Sequence, residues 1–180
     1  TPTASEDTIA DGMGYSVSGN TVTVEQPNTI FSVPVTLTTP DQDGSESAVQ
    51  YVITGVPMGV EVVGGTYYGY AGSPHNGIWV LDIADQAIND ANGHTQNIEF
   101  KVNDGADFEI RNISIEAFNQ DTGASLESDT VTFTLEADNS YNPGTGTGTP
   151  PQFELSTQPL EILEDTDFNL GSALNVENNG

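Results

Sequence analysis

Asp41-Gln42-Asp43-Gly44-Ser45-Glu46 places alternate carboxylates around a glycine. That pattern gathers several oxygens on one side of a tight turn, as coordination of a hard dication requires. It is not a helix–loop–helix calcium loop, because the twelfth position counted from Asp41 is Val52 rather than Glu. The plainer alternative is an Asp-Gly hairpin turn. Asn103-Asp104-Gly105-Ala106-Asp107 repeats the pattern between two apolar runs and carries the same alternative. Glu6 and Asp7 are adjacent acids near the start, suited to an ion shared with a neighbouring module. Asp82, Asp85 and Asp90 cluster where either metal binding or helix capping would use them.

Thr66 to Gly77 is the second unusual stretch. Tyr67, Tyr68 and Tyr70 are interleaved with glycine, followed by His75 and then by Trp79, the single tryptophan. Tyrosine on a glycine-rich loop offers rigid amphipathic contact area at low entropic cost. These residues are therefore candidates for ligand binding. The alternative is cross-strand ring packing, and Trp79 reads as core. Lys101 and Arg111 are the only cationic side chains. They are expected on neighbouring strands of a hairpin, paired with acids.

Other chemistry is hard to assemble. There is no cysteine, so thiolate nucleophiles and zinc–thiolate sites are excluded. The two histidines, His75 and His94, lie in no recognisable nucleophile–base context, so no enzyme is expected. Asp plus Glu number 27 against 2 Lys plus Arg, a formal charge of −25 over 180 residues. Such a chain cannot neutralise phosphates, so no nucleic-acid partner is expected. No apolar run reaches the roughly 20 residues of a membrane span. Compacting this charge costs self-repulsion that multivalent cations relieve; about five Ca²⁺ would bring it to roughly −15. Several calcium ions are therefore the expected cofactors. The first residue is Thr, which reads as a piece of a longer protein.

The elements that must carry these residues are strands. Val, Ile, Thr, Phe and Tyr alternate with period two through most of the chain. Phe31, Val33, Val35 and Leu37 share one face, and Pro34 in that run suggests an edge strand. Tyr51 and Ile53, then Trp79 and Leu81, then Ile98, Phe100 and Val102 continue the pattern. Phe108 and Ile110 give way to Ile113 and Ile115 on the opposite parity, which predicts a β-bulge near Arg111 and Asn112. Val131, Phe133, Leu135 and Ala137 form the last clear inward row. Closely spaced turn signals make this an all-β sandwich. Asp82 to Asn92 alone departs, reading as a short helical turn capped by Asp82 and ended by Gly93.

Composition shifts at Asn139, so residues 1–138 read as the sandwich and 139–151 as a Gly/Thr/Pro linker. Residues 152–180 are too few for an independent domain, and begin a following module or add a strand to the first. Glu6-Asp7-Thr8 near the start is echoed by Glu164-Asp165-Thr166 near the end.

The ordered pieces resemble a known family. Asp41 to Glu46, Val52-Ile53-Thr54-Gly55-Val56-Pro57, Gly64-Gly65-Thr66 and Asn76-Gly77-Ile78-Trp79 resemble the repeated modules of giant bacterial adhesins of the repeats-in-toxin type. Asp129 to Leu135 looks like their last strand. The resemblance implies an extracellular, calcium-rigidified, immunoglobulin-like or cadherin-like antiparallel β-sandwich on the bacterial cell surface. It implies calcium ligation by Asp41, Asp43 and Glu46, joined by Glu6 and Asp7. Bulk beyond a plain spacer repeat suggests a ligand-binding module near the adhesin tip, taking a peptide or protein, a glycan, or ice. In that expectation a calcium ion accepts the ligand's carboxylate while the tyrosines grip its side chains.

Overall fold

A computed structural model describes residues 1–41, 43–69, 78–88, 91–121, 126–144, 153–155 and 174–176. The chain divides into two units, Thr1–Thr145 and Gly146–Gly180. In the second unit β12 (Phe153–Leu155) and β13 (Leu174–Val176) form an antiparallel pair. Leu160–Leu163 and Phe168–Leu170, apolar runs that read as short strands, and the Glu164-Asp165-Thr166 echo lie outside the described residues.

The first unit is an all-β sandwich. One sheet holds β1 (Thr3–Glu6), β4 (Ile30–Thr38), β9 (His94–Val102) and β6 (Val60–Val62), in that spatial order. The other runs β2 (Tyr15–Ser18), β3 (Thr21–Val24), β11 (Glu127–Ala137), β10 (Arg111–Asp121), β5 (Glu46–Thr54), β8 (Ile78–Ala87), β7 (Thr66–Tyr68). Adjacent strands are antiparallel except β3 and β11, which pair in parallel, so the larger sheet is mixed. A parallel pair needs a crossover, and here that crossover is the rest of the sandwich.

Period-two alternation produces this because every inward row lands on the facing sheet. Phe31, Val33, Val35 and Leu37 of β4 are buried, as are Ile98, Phe100 and Val102 of β9. Ile113, Ile115 and Ala117 of β10 and Val131, Phe133 and Leu135 of β11 face them. The centre is aromatic: Phe31 stacks on Phe100 at 5.2 Å, and Phe133 meets Phe100 edge-on at 5.3 Å. Such pairs add about 0.5–1.5 kcal/mol beyond area burial.

Four local expectations are corrected. Pro34 is not on an edge strand, since β4 lies between β1 and β9. Its carbonyl accepts from Asp7 N–H on the β1 side at 3.0 Å, just past the last ladder residue, Glu6. A strand residue's N–H and C=O point the same way, so the missing N–H falls where β1 has already ended. The parity change near Arg111 is not a bulge. Residues 103–110 are a loop between the sheets, and β10 starts at Arg111 with Ile113 inward. The ladder slips instead between Phe118 and Asn119, and between Ala48 and Gln50. That loop also separates Lys101 and Arg111 into different sheets rather than one hairpin.

The helical turn at Asp82–Asn92 is replaced by β8, which continues to Ala87; among the described residues there is no helix. The i, i+4 spacing of Ile83 and Ala87 competes with alternation of Trp79, Leu81 and Ile83, all packed on the core. Pairing with β5 decides it, because nine residues of β5 offer backbone partners that a helix would leave open.

Tyr51 is fully buried, and its hydroxyl has no hydrogen-bond partner among the described residues. Burial pushes its pKa up to about 12. An unpaired buried hydroxyl costs roughly 1–3 kcal/mol. Tyr51→Phe is therefore expected to stabilise the fold by about 1 kcal/mol. The unfolded tyrosine ionises near pH 10 and the folded one near 12, so stability falls as pH rises through that window. The fall is at most about 1.4 kcal/mol per pH unit, and Tyr51→Phe removes this contribution. Denaturant unfolding at neutral pH and at pH 11 measures both effects.

Candidate functional site

β4 and β5 belong to different sheets, so the segment joining them crosses one end of the sandwich. This crossing carries Asp41 and Asp43, and Glu46 opens β5. Gly44 adopts φ +86°, a left-handed turn conformation that favours glycine. Asp43 N–H donates to Asp41 Oδ1 at 3.3 Å, and Ser45 N–H donates to Asp43 Oδ1 at 2.8 Å. The Ser45 hydroxyl, then its backbone N–H, hold the Asp43 carboxyl below the usual carboxylate range. Thr39 Oγ1 donates to the Asp41 carbonyl at 2.5 Å and ties down the start of the crossing.

One ligand oxygen from each of Asp41, Asp43 and Glu46 lies within 4.8 Å of the others. Oxygens bound at 2.3–2.6 Å to one calcium-sized ion are at most about 5 Å apart, so the triple fits a hard dication. Asp41 and Asp43 are exposed, whereas Glu46 is only 6% exposed. Its neighbour contact is the Ser45 hydroxyl, 3.4 Å from Oε2. Two unit charges at 4 Å repel by about 1 kcal/mol even in bulk water, and by more away from solvent. The group could hold a metal ion, and a dication would turn that repulsion into attraction.

The other acids expected to bind metal are not drawn into this triple. Glu6 ends β1 opposite Val35, and Asp7 follows it with its N–H on the Pro34 carbonyl, some way down β4 from the crossing. They line a cleft of about 430 Å³ with Thr8, Ile9, Asp11, Val17 and Gly19. Glu6 Oε2 is buried there without a partner, Asp7 accepts from Thr36 Oγ1 at 2.6 Å, and Asp11 accepts from Val17 N–H at 2.7 Å. Asp82 faces outward from β8 and accepts from Gln50 Nε2 at 2.6 Å. Asp104 and Asp107 flank Tyr141, whose pKa is raised by burial and then by these two charges. Tyr141 donates to the Ala106 carbonyl at 2.7 Å and packs on Phe108, so the sandwich extends past Ala137 into the expected linker.

The tyrosines are divided by strand geometry. Tyr67 pairs with Trp79 across β7–β8, with ring centroids 5.3 Å apart, and remains 43% exposed. Tyr68 faces outward and is 56% exposed. Tyr70 and His75 lie outside the described residues, as does Asp90. Tyr68 stands opposite Ile78, which stands opposite Thr54 at the far end of β5 from Glu46. Eight steps of strand, roughly 26 Å, separate those ends of β5. The described tyrosines and the carboxylate triple thus cannot grip one small ligand together.

Sequence reasoning passed over Asp11 and Asn119, and set Asp121 aside as uninformative on its own. Asn119 is 4% exposed on the inner face of β10, and Asp121 stands opposite Glu46. Only burial and register distinguish them from other surface-type residues.

No family model matches the chain, and no curated protein matches it. Among solved structures it is similar to a cohesin module from a Clostridium perfringens family 33 glycoside hydrolase. The identity is 7%, with 76% of this chain and 98% of that module covered, at a TM-score of 0.39.

The ring contact with Trp79 makes the two adjacent tyrosines separable. Tyr67→Ala is expected to cost about 1–2 kcal/mol through loss of the Trp79 contact, and Tyr68→Ala within about 0.5 kcal/mol. Chemical denaturation of the two variants measures the difference.

Proposed function

We propose that this chain is a calcium-dependent recognition module of a bacterial cell-surface adhesin, serving attachment and biofilm formation. The observation that carries the reading is the Asp41, Asp43 and Glu46 triple at the crossing between the sheets. Calcium is the proposed ion because the donors are all hard oxygens and the chain is strongly acidic. Its role is to neutralise the triple and fix the crossing; the ligand is taken elsewhere.

The proposed ligand is a protein or peptide on a host or neighbouring cell, with a surface glycan as the alternative. Outward Tyr68 is the centre of the recognition surface. Support comes from the exposed ring on a rigid two-sheet scaffold. The work is binding rather than turnover, and the module acts outside the cell in line with adjacent modules of the same chain. Nucleic acid and the membrane interior are not proposed partners. Among the described residues no helix is long and apolar enough to cross a membrane.

A second reading is a calcium-stiffened extender with no ligand of its own. The separation of triple and tyrosines to opposite ends of β5 favours it.

Thermal melts and a peptide and glycan array at millimolar calcium test both. Calcium at 100 times its Kd adds about 2.7 kcal/mol, and chelation is expected to lower Tm by about 5–10 °C. An unchanged Tm in chelator would remove calcium from the account. An array signal lost in Tyr68→Ala at unchanged Tm supports recognition, whereas a silent array leaves the extender.

A further inference from the structure

Beneath the carboxylate triple lies a polar group that nothing yet described satisfies. Asn119 is on the inner face of β10, in the row that continues Ile113, Ile115 and Ala117. Its side-chain Oδ1 is buried and has no hydrogen-bond partner among the described residues. The register pairs Asn119 with Ala48 and Asp121 with Glu46. Glu46 and Ala48 are both inward on β5, so Asn119 is the diagonal inner-face neighbour of Glu46. Diagonal neighbours are about 7–8 Å apart, within reach of longer side chains. Ala48 contributes only a methyl group opposite Asn119, and the ladder slips between Phe118 and Asn119. The extra residue is Val49 on β5, so the bulge re-aims Ala48 and Glu46 toward the inner row of Asn119, while β10 stays regular against β11.

The chemistry of the deficit points to a cation. An amide oxygen removed from water without a donor costs roughly 1–3 kcal/mol. The polar side chains beside it, Glu46 diagonally on β5 and Glu127 and Asp129 on β11, are carboxylates, which offer only more acceptors. A hard dication satisfies several acceptors at once, and asparagine carbonyls are ordinary calcium ligands.

We infer that Asn119 Oδ1 is a further ligand of the cation held by Asp41, Asp43 and Glu46. The inference rests on the cation reading of that triple. It turns a surface loop site into a clamp. The ion would join the crossing that leaves β4 of the smaller sheet to β5 and β10 of the larger one. As a neutral donor, Asn119 adds coordination without adding to the charge that calcium must balance.

The test uses Asn119→Leu and Asn119→Asp, with Asp43→Asn as reference, in the full chain. Calcium affinity is read by calorimetry, and Tm is read with calcium and with chelator. Asn119→Leu is expected to leave the chelated protein as stable as the parent or more so, while weakening calcium at least tenfold. Asn119→Asp is expected to lower Tm in chelator, tighten calcium and widen the calcium-dependent shift. The opposite signs in the two conditions cannot come from a packing defect. If Asn119→Leu does not fold, Asn119→Asp alone decides. Parent-like calcium affinity in both Asn119 variants, with affinity lost in Asp43→Asn, overturns the inference and keeps the triple. Parent-like affinity in all three overturns the triple as well.

Discussion

Twenty-seven carboxylates share this chain with two cationic side chains, and the fold has to be stable against that field. Ion pairing does little to relieve it. Lys101 meets Glu61 at 3.6 Å and the N-terminus meets Glu127 at 3.1 Å, both in partly exposed settings. Such pairs contribute about 0–1 kcal/mol each. Arg111 spends itself otherwise, its Nε buried without a partner. Cohesion therefore comes from the apolar rows and the aromatic centre. Outward strand positions are often threonine, serine or asparagine, as along β11 and β4, which keeps charge off the middle of the sheets. Carboxylates collect instead at the ends and crossings, where a bound cation has the most repulsion to relieve.

The two ends of β5 organise what this molecule can do. At the Glu46 end, segments from both sheets converge and buried polar groups accumulate, including Glu46, Thr39 and Asn119. At the Thr54 end, the crossing through Gly55 is held tightly. A side chain on Gly55 would run into the Asn112 carbonyl, and its φ is +82°. Tyr67 and Tyr68 lie near this second end, anchored through β8. One end therefore carries a carboxylate triple that could hold a metal ion, and the other presents an exposed aromatic ring. A cation at the first could reach the second only through the sheets between them.

Much of the sandwich was legible because burial follows alternation directly. The inward rows of β4, β9 and β11 are those that period two selects. The errors occur where the chain changes sheets or where pairing overrules local preference. Around Arg111 the parity change reflects a loop crossing rather than a bulge. At Asp82–Ala87 a helical spacing is overruled by a strand that needs partners. Pro34 shows a different limit: the residue needs a missing neighbour, but a short neighbouring strand supplies that condition as well as an edge does. The Asp41, Asp43 and Glu46 pattern was legible because its ligands are close in sequence, so a tight turn suffices to bring their oxygens together.

By itself the sequence determined an all-β chain, its inward rows, its excess of negative charge and one local carboxylate turn. Those properties depend on side-chain type at fixed short spacing, which backbone geometry converts into faces and turns. Only the tertiary structure decided that Glu46 is buried while its partners are exposed. It also decided that Asn119 lies in the row beneath Glu46 and that the tyrosines lie at the other end of β5. Strand order and register set those relations, and they arise from pairing between segments as far apart as β5 and β10, which no local spacing encodes.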